Sequence, residues 1–375
     1  MPARALARVN LAALKRNVAR LRDELRGATE LCAVVKGNGY GHGAVACAEA
    51  ALAGGATRLA VATAGEAVEL RDAGVSAPVL VMGALTGEEL SAALDASSEV
   101  VAWTPEFVAA LAAAAHRDQV VNVHVKLDTG MGRLGTRDPA EALEVAERIA
   151  AGHGPLRLAG VMTHLATAGE DPEFVAAQLD RFTPVVEQLR PRFPGIQAHA
   201  ANSAATLTEP RSHFDFVRCG IAVYGCDPMN EDPLARRLEP VLELTSYVAA
   251  VKAAAPGDSV GYGRTFIARE PTWIATVPIG YADGIRRGLS NNCDVLVGGR
   301  TYPLVGTVSM DNVTVDLGPQ PSVSVGETVT IIGTQSEARQ TTEELARRIA
   351  TINYEIVTGV SARVPRVYHR DGEPA

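Results

Sequence analysis

Several features that the sequence lacks exclude whole classes of protein and of binding site. Its five cysteines are scattered and form no Cys-X-X-Cys pair; they are Cys32, Cys47, Cys219, Cys226 and Cys293. This pattern indicates neither a disulfide framework nor a zinc site, and we expect no metal. No apolar run reaches the length of a membrane span, and the first ten residues contain no signal-peptide core. We therefore expect a reduced, cytoplasmic protein that does not enter a membrane.

An excess of positive charge is also missing. The 375 residues contain 35 Lys and Arg against 43 Asp and Glu, a formal net charge of -8. This sign argues against a general binder of nucleic acids or of anionic membranes. It still allows a small anionic ligand, because the field inside a cleft can oppose the overall charge.

Short β-like runs alternate with alanine-rich helical stretches from about residue 30 to residue 225. The runs cover residues 31–36, 59–62, 79–83, 100–103, 120–128, 156–164, 196–202 and 216–224. Eight strands alternating with helices predict an α/β fold built on a (β/α)8 barrel. An open doubly wound sheet is the alternative, although no Gly-X-Gly-X-X-Gly follows a strand to support a dinucleotide site.

The amino-acid composition changes near residues 226–240, which are rich in turn-forming residues. Short runs with frequent glycines follow, and they predict a mostly antiparallel β domain with one helix near residues 342–349. We place the barrel in residues 1–237 and the β-rich C-terminal domain in residues 238–375. A length of 375 residues agrees with two domains, since one core seldom grows to that size.

Lys36 ends the first predicted strand and enters the glycine-rich segment GNGYGHG, residues 37–43. A desolvated lysine amine loses its charge more readily and attacks carbonyls, including the aldehyde of pyridoxal phosphate. Glycines allow close approach of the backbone, whose N–H groups can bind phosphate oxygens. A solvated lysine at a strand end is the alternative interpretation.

Polar and titratable residues recur at the other predicted strand ends. They are Lys126 with Asp128, His164, Asn202 with Ser203, and Arg218. The active site of such a barrel lies at the carboxyl ends of its strands. The pattern therefore predicts one polar site there, which includes Lys36.

Nine short segments, spread over almost the whole chain, carry a family resemblance. In chain order they are AVVKGNGYGHG (33–43), VHVKLDTGMGRLG (123–135), MTHLA (162–166), ANSAA (201–205), VRCGIAVYG (217–225), VGYGRTF (260–266), PIGYADG (278–284), VGTVSMDN (305–312) and TINYE (351–355). Together they resemble the alanine racemase family. The resemblance implies a barrel that binds pyridoxal 5'-phosphate, a C-terminal β domain, and interconversion of L- and D-alanine that supplies D-alanine for peptidoglycan.

The chain departs from the family pattern at four positions. Gly37 and Gly39 stand where the family usually has alanines, Cys219 replaces a proline, and Ala362 replaces a tyrosine. None of these positions carries a group with an assigned role. The glycines make the loop after Lys36 more permissive.

The resemblance also implies a two-base mechanism. Lys36 holds the cofactor as a Schiff base; in the external aldimine with substrate it is one base, and Tyr262 from the other subunit is the second. A tyrosine of ordinary pKa near 10 is a poor base and needs a cationic or hydrogen-bonding neighbour. His164, itself in contact with Arg218, is expected to provide this. The active sites are then shared within a homodimer, whereas a core or surface tyrosine is the alternative for Tyr262.

The implied cofactor-binding residues come from both predicted domains. They are Lys36, Tyr40, His164, Asn202, Ser203, Arg218, Gly220, Ile221 and Tyr354. Arg218 matches the residue that faces the pyridine nitrogen, where a permanently charged donor disfavours ring protonation and hence transamination. A surface ion pair is the alternative for Arg218. A helix N-cap is the alternative for Ser203, and it is compatible with phosphate binding.

The implied substrate-binding residues are Arg133, Tyr281, Met310 and Asp311. The planar guanidinium of Arg133 suits the substrate carboxylate or the phenolic oxygen of the cofactor. Tyr281 would restrict the size of the substrate, and Asp311 could instead be a turn-forming aspartate. In the family a lysine at position 126 is sometimes carbamylated; an ordinary lysine paired with Asp128 is the alternative.

Two other functions stay open at this point. One is a broader racemase that acts on serine, lysine or arginine. The other is a non-catalytic pyridoxal-phosphate binding protein, which resembles this barrel but lacks a large β domain. Related decarboxylases share the barrel, but their glycine-rich phosphate loop and catalytic cysteine motif are not evident in this sequence.

Overall fold

The computed structural model describes residues 3–116, 119–151, 154–320 and 322–375. Within these residues the chain divides into two compact units. The barrel unit comprises residues 15–39 and 44–223. The sheet unit comprises residues 3–14, 40–43 and 224–375.

The strands are numbered along the chain. They are β1 (Leu6–Asn10), β2 (Glu30–Val34), β3 (Arg58–Val61), β4 (Val79–Val81), β5 (Glu99–Ala102), β6 (Val121–Lys126), β7 (Leu156–Met162), β8 (Gln197–His199), β9 (Phe216–Cys219), β10 (Leu242–Tyr247), β11 (Ala250–Ala254), β12 (Ser259–Val260), β13 (Phe266–Ile267), β14 (Thr272–Val277), β15 (Cys293–Val297), β16 (Arg300–Val305), β17 (Val313–Asp316), β18 (Thr328–Gln335), β19 (Ala338–Gln340), β20 (Arg366–Arg370) and β21 (Glu373–Pro374).

The α-helices are Leu11–Arg22, Ala44–Ala53, Ala64–Asp72, Gly87–Asp95, Pro105–Ala114, Pro139–Ala151, Pro172–Arg192, Ser203–Thr208, Thr342–Arg348 and Asn353–Thr358. Short 3₁₀ turns occur at Pro210–Ser212, Ile221–Tyr224, Pro233–Arg236, Tyr262–Arg264 and Arg287–Leu289. None of the helices in the described ranges is both long and apolar enough to cross a membrane.

Eight parallel strands form the barrel unit, in the order β8-β7-β6-β5-β4-β3-β2-β9. The two end strands meet as well, since the N–H of Asp215 donates to the carbonyl of Ala198 at 3.0 Å and that of Arg218 to Ala201 at 2.9 Å. The sheet is therefore a nearly closed barrel, as predicted, and the open doubly wound alternative is wrong. Strands β3, β4 and β5 are buried along their whole length, which explains the continuous apolar runs at residues 59–61, 79–81 and 100–102.

Side-chain caps and prolines start several of the helices around the barrel. Thr63 accepts the N–H of Glu66 and Thr104 accepts that of Phe107, and Pro105 fills the first helical position. Another proline stands at the start of the helix Pro139–Ala151. These caps fix where each helix begins, and hence the length of the loop that precedes it.

The sheet unit is built on a large, mostly antiparallel sheet in the order β11-β14-β17-β16-β15-β18-β10-β1-β20-β21. The predicted β-rich character of the C-terminal half is confirmed. Strand β1, from the start of the chain, pairs antiparallel with β10 and parallel with β20. A five-residue alternating strand does not reveal which sheet it will join, so the sequence did not predict this placement.

Two predicted strands differ in detail. The run at residues 216–224 is a strand only to Cys219 and continues as the 3₁₀ turn Ile221–Tyr224. Gly220 separates the strand from the turn. The first of the short runs predicted after residue 240 covers residues 241–252, and it is divided into β10 and β11.

Candidate active site

Lys36 lies two residues beyond the end of β2 and is half-buried. The backbone after it is left-handed, with φ of 63° at Gly37, 52° at Asn38 and 61° at Gly39. Such angles are costly for most residues but not for glycine, so the two glycines relieve strain in this turn. Burial lowers the pKa of the Lys36 amine, and the charge of Arg133 lowers it further. A larger fraction of this amine is therefore neutral and nucleophilic than in an ordinary surface lysine.

Two side chains fix the loop that carries Lys36. One carboxylate oxygen of Glu66 accepts the N–H of Gly37 at 2.6 Å, and the other accepts those of Ala62 at 2.8 Å and Thr63 at 3.2 Å. The side chain of Asn38 accepts the N–H of Ala44 at 2.9 Å. The loop is therefore tied to the strand end of β3 and to the helix that follows.

Four cationic side chains surround His164 in the barrel unit. Burial is the largest cause that lowers the pKa of His164 well below its usual value. The positive charges of Arg218, Arg133, Lys126 and Lys36 lower it further. Burial, then Arg218 and Arg133, lower the pKa of Lys126 to about 8. A strongly positive region has thus formed in a chain of formal net charge -8. Such a region favours an anionic ligand.

Arg218 is almost completely buried, with 3% of its surface exposed. It donates to the Nδ1 atom of His199 at 2.7 Å, to the carbonyl of Thr163 at 2.8 Å and to that of Ala200 at 3.1 Å. A longer contact of 3.4 Å joins it to the Nδ1 atom of His164. Burial lowers the pKa of Arg218 to about 10, so it stays charged at neutral pH. The surface ion pair considered as its alternative is excluded.

Ser203, Gly220 and the 3₁₀ turn after Gly220 lie together. The hydroxyl oxygen of Ser203 accepts the N–H of Gly220 at 2.9 Å and that of Ala222 at 3.4 Å. The helix N-cap is Asn202, whose side chain accepts the N–H of Ala205 at 3.0 Å, so the cap alternative for Ser203 is wrong. The hydroxyl and the backbone amides therefore form one polar cluster at the ends of β8 and β9.

Asp128 does not serve mainly as a partner of Lys126. It accepts the N–H groups of Gly130 at 3.1 Å and Gly132 at 3.0 Å, and it contacts Arg137 at 3.3 Å. Burial raises the pKa of Asp128, but these hydrogen bonds outweigh that effect and lower it overall. Asp128 thus shapes the loop that carries Arg133, whose side chain is exposed.

In the sheet unit, Tyr262 is 73% exposed and lies between two glycines with positive φ, Gly261 at 75° and Gly263 at 70°. The hydroxyl of Thr307 donates to the Tyr262 carbonyl at 2.8 Å and so fixes the turn. The core alternative for Tyr262 is therefore excluded. The turn presents a large aromatic side chain to solvent in a single chain.

The other predicted residues of the sheet unit form two groups. Met310 and Tyr281 are 52% and 43% exposed, and backbone hydrogen bonds of 3.0 Å from Tyr281 to Ser309 and from Ala282 to Met310 join their loops. Asp311 accepts from Arg363 at 2.6 Å, so it is an ion-pair member and not simply a turn residue.

Tyr40 and Tyr354 also lie together in the sheet unit, with ring centroids 6.1 Å apart. Tyr224 packs against Tyr40 at 5.0 Å and stacks with His42 at 4.6 Å. His42 is fully buried, as expected for a structural histidine.

Comparisons with known proteins agree with this geometry. Residues 9–228 match the family model for the alanine racemase N-terminal domain, and residues 241–368 match that for its C-terminal domain. The chain belongs to the alanine racemase family.

Individual relatives match over almost their whole length. Alanine racemase from Nostoc sp. is 40% identical over 97% of this chain and 95% of its own. The alanine racemase structure from D-cycloserine-producing Streptomyces lavendulae has a TM-score of 0.93, 38% identity and 98% coverage of both chains. That from Bacillus anthracis, with bound L-Ala-P, has a TM-score of 0.91 and 37% identity, and covers 100% of this chain and 97% of its own.

Membership in the alanine racemase family makes this protein an enzyme of the amino-acid racemase class. The match to the C-terminal domain model also argues against the single-barrel binding protein considered above, since that class lacks a large β domain. The racemase barrel and the mostly antiparallel domain agree with the predicted architecture.

Sequence reasoning missed four residues that support the site. Glu66 fits the capping-box pattern of its helix, which gave no sign that it also binds the Lys36 loop. His124 lies inside a predicted strand and Glu99 lies one residue before another, and neither residue has a partner that is visible in the sequence. Arg363 lies near the C-terminus, far in sequence from Asp311.

Proposed function

We propose that this alanine racemase interconverts L-alanine and D-alanine with pyridoxal 5'-phosphate bound at the carboxyl ends of the barrel strands. The observation that carries the proposal is a half-buried lysine among the cationic side chains that lower the pKa of His164. These residues fit an anionic phosphate ester with a reactive aldehyde. When bound, the cofactor supplies a carbonyl for amines and an electron sink that acidifies the α-carbon of the substrate.

Lys36 is proposed to hold the cofactor and to act as one of two bases. Its pKa is lowered by burial and by Arg133, so a larger fraction of the amine is neutral near pH 7. Glu66 opposes this shift, but it also fixes the backbone next to the lysine. The net effect is a lysine with a lowered pKa on a fixed backbone, and its Nζ atom can accept a proton.

The phosphate is proposed to bind where Ser203 meets Gly220 and the following turn. The Ser203 hydroxyl can donate to a phosphate oxygen while it accepts from Gly220. The adjacent Ile221 contributes a backbone N–H, and Asn202 orders the first turn of the helix that follows. The family resemblance adds the hydroxyls of Tyr40 and Tyr354 to this set.

Arg218 is proposed to face the pyridine nitrogen, with His164 beside it. A guanidinium donates hydrogen bonds but cannot accept one, so it disfavours protonation of the ring. A less cationic ring stabilises negative charge at the α-carbon less well, which favours return of the proton over transamination. The extensive hydrogen bonds of Arg218 hold it in one orientation for this task.

Tyr262 is proposed to be the second base, supplied by another copy of the chain in a homodimer. Racemisation needs a base on each face of the substrate, and one side chain cannot readily reach both. The exposure of Tyr262 supports this assignment, because a partner surface would cover a large aromatic group. Other exposed large apolar side chains of the sheet unit include Tyr281, Met310, Ile352 and Ile267.

The substrate is proposed to be a small amino acid whose carboxylate is bound by Arg133. Met310 and Asp311 are assigned to the carboxylate end of the site, and Tyr281 to its entrance, where it limits side-chain size. The Bacillus anthracis relative, which binds L-Ala-P, supports a site of alanine size. We further propose a cytoplasmic supply of D-alanine for peptidoglycan and a domain boundary at residue 237.

The proposed function is tested by incubating the purified protein with pyridoxal phosphate and L-alanine. We expect D-alanine, detected by chiral separation, and a yellow protein whose absorbance and activity are both lost in Lys36→Ala. Serine, lysine and arginine in the same assay test the broader racemase, and we expect alanine to react fastest. Production of D-alanine by Lys36→Ala at the wild-type rate would contradict the assignment.

A further inference from the structure

A chain of buried polar side chains runs through the interior of the barrel, where bulky apolar residues are usual. Arg218 donates to Nδ1 of His199 at 2.7 Å, and Nε2 of His199 lies 3.0 Å from Nδ1 of His124. Nε2 of His124 lies 3.2 Å from a carboxylate oxygen of Glu99. Both imidazoles are fully buried, and Glu99 is 8% exposed.

Chemistry fixes the direction of every hydrogen bond in this chain. Arginine can only donate, so Nδ1 of His199 must accept and its proton lies on Nε2. That proton is donated to Nδ1 of His124, which places the second proton on Nε2 of His124 and directs it at the carboxylate of Glu99. A proton added to either ring would make two donors face each other and would break the chain.

The row of hydrogen-bonded side chains runs along the barrel interior, from near the carboxyl end of β9 to the amino end of β5. Arg218 is the third residue of the four in β9, next to the predicted cofactor site, whereas Glu99 is the first residue of β5. Asn122 donates to Glu99 at 3.1 Å, and Arg58 lies 3.6 Å from it. Phe216 supports both ends, since it stacks with His199 at 4.1 Å and with the guanidinium of Arg58 at 4.2 Å.

The titration behaviour of the end groups agrees with this arrangement. Burial, then the charge of Arg218, lowers the pKa of His199 well below its usual value, so its ring is neutral. Burial raises the pKa of Glu99, but the hydrogen bond from His124 and the charge of Arg58 outweigh that effect and lower it overall. The terminal acceptor is therefore a carboxylate across the neutral pH range.

We propose that Glu99 is a positioning residue that acts through His124 and His199 to hold the guanidinium of Arg218 in one orientation. Without a terminal acceptor, His124 is free to take its other tautomer, and His199 then loses its partner. Because buried polar groups need hydrogen-bond partners, the loss of one hydrogen bond at Glu99 disturbs His124 and then His199. The inference rests on the proposed function only in the role it gives Arg218 towards the cofactor ring.

The first test uses nitrogen NMR of the full-length, cofactor-free protein with labelled histidine. We expect His199 and His124 to carry their protons on Nε2, with Nδ1 unprotonated, at pH 7. In Glu99→Ala the His199 signals should shift, although Glu99 does not touch that ring. Glu99→Gln is the matched control, since its amide oxygen can still accept from His124 and should preserve both tautomers.

Two results overturn the inference. A wild-type His199 protonated on Nδ1 excludes the proposed direction, and this result needs no variant to fold. Unchanged His199 signals in a folded Glu99→Ala protein show that the far end of the chain has no influence on Arg218.

The second test uses the protein loaded with pyridoxal phosphate. Glu99→Ala should increase the fraction of turnovers that end in transamination on the order of tenfold, the effect of about one buried hydrogen bond, whereas Glu99→Gln should change it far less. An unchanged fraction in Glu99→Ala would refute the positioning role. If wild-type protein neither binds the cofactor nor racemises alanine, the proposed function fails, and the NMR result still decides whether the hydrogen-bond chain exists.

Discussion

The carboxylate of Glu66 accepts the backbone N–H of Gly37 at 2.6 Å, one residue after Lys36. The same carboxylate closes the start of its own helix through Ala62 and Thr63. One side chain thus couples a helix start to the left-handed turn that follows the proposed catalytic lysine.

Removal of this carboxylate should have two separable effects. Glu66→Ala should lower the free energy of unfolding by about 1 kcal/mol, the usual effect of a lost helix cap, as measured by urea denaturation. Because Glu66 raises the pKa of Lys36, its loss should lower that pKa. Attachment of pyridoxal phosphate requires the neutral amine, so its rate should rise at a lower pH in the variant.

Glu66→Gln serves as the control because it removes the charge but keeps one acceptor oxygen. It should reproduce the shift of the attachment rate towards lower pH with a smaller loss of stability. If the attachment profiles of wild type and both variants coincide, Glu66 has no electrostatic effect on Lys36.

A second prediction concerns Asp283, which is fully buried and bound by Arg4 and by Arg363, the latter at 2.7 Å. Burial raises its pKa, but the hydrogen bonds from both arginines lower it to about 2, against 3.8 for an ordinary aspartate. A depressed carboxylate pKa gives stability that is present above pH 4 and is lost as the pH falls towards 2. Both arginines are partly exposed, so we expect a contribution of only about 1–2 kcal/mol.

The measurement is the unfolding temperature as a function of pH for wild type and Asp283→Asn. The difference between them should shrink as the pH falls from 4 to 2. Asp95→Asn, at a side chain that is 70% exposed, is the control and should change little at any pH. A difference that does not depend on pH would show that the ion pairs of Asp283 contribute nothing through its charge.

A third prediction concerns the phenol of Tyr262. Tyr262→Phe should keep the yellow absorbance and change the free energy of unfolding by less than about 0.5 kcal/mol, because the side chain is exposed and its turn is fixed through the main chain. Racemisation should nevertheless fall by at least about 100-fold, in line with the loss of a positioned base. The two directions should also differ in the incorporation of solvent deuterium, since each face then depends on a different proton source. Undiminished rates in both directions would exclude a second base at this position.

The barrel was predictable because its strands are short, mostly buried and separated by helices, so most of them appear as mainly apolar runs. Lys36, His164, Ser203 and Arg218 could be proposed because they stand where such runs end. Strand β1 could not be placed, since pairing with β10 and β20 depends on residues more than 230 positions away. Glu99 and His124 were missed for the same reason: a buried polar residue is explained only by its partners, and those come from other strands.

The central claim, a site shared between Lys36 of one chain and Tyr262 of another, is tested most directly by mixing two inactive variants. Lys36→Ala and Tyr262→Phe are denatured together and refolded, so that mixed dimers form with one intact site each. Random pairing should restore about a quarter of wild-type racemisation, because half of the dimers are mixed and half of their sites are complete. Activity no higher than that of the separately refolded variants, in a sample shown to contain mixed dimers, would contradict the account.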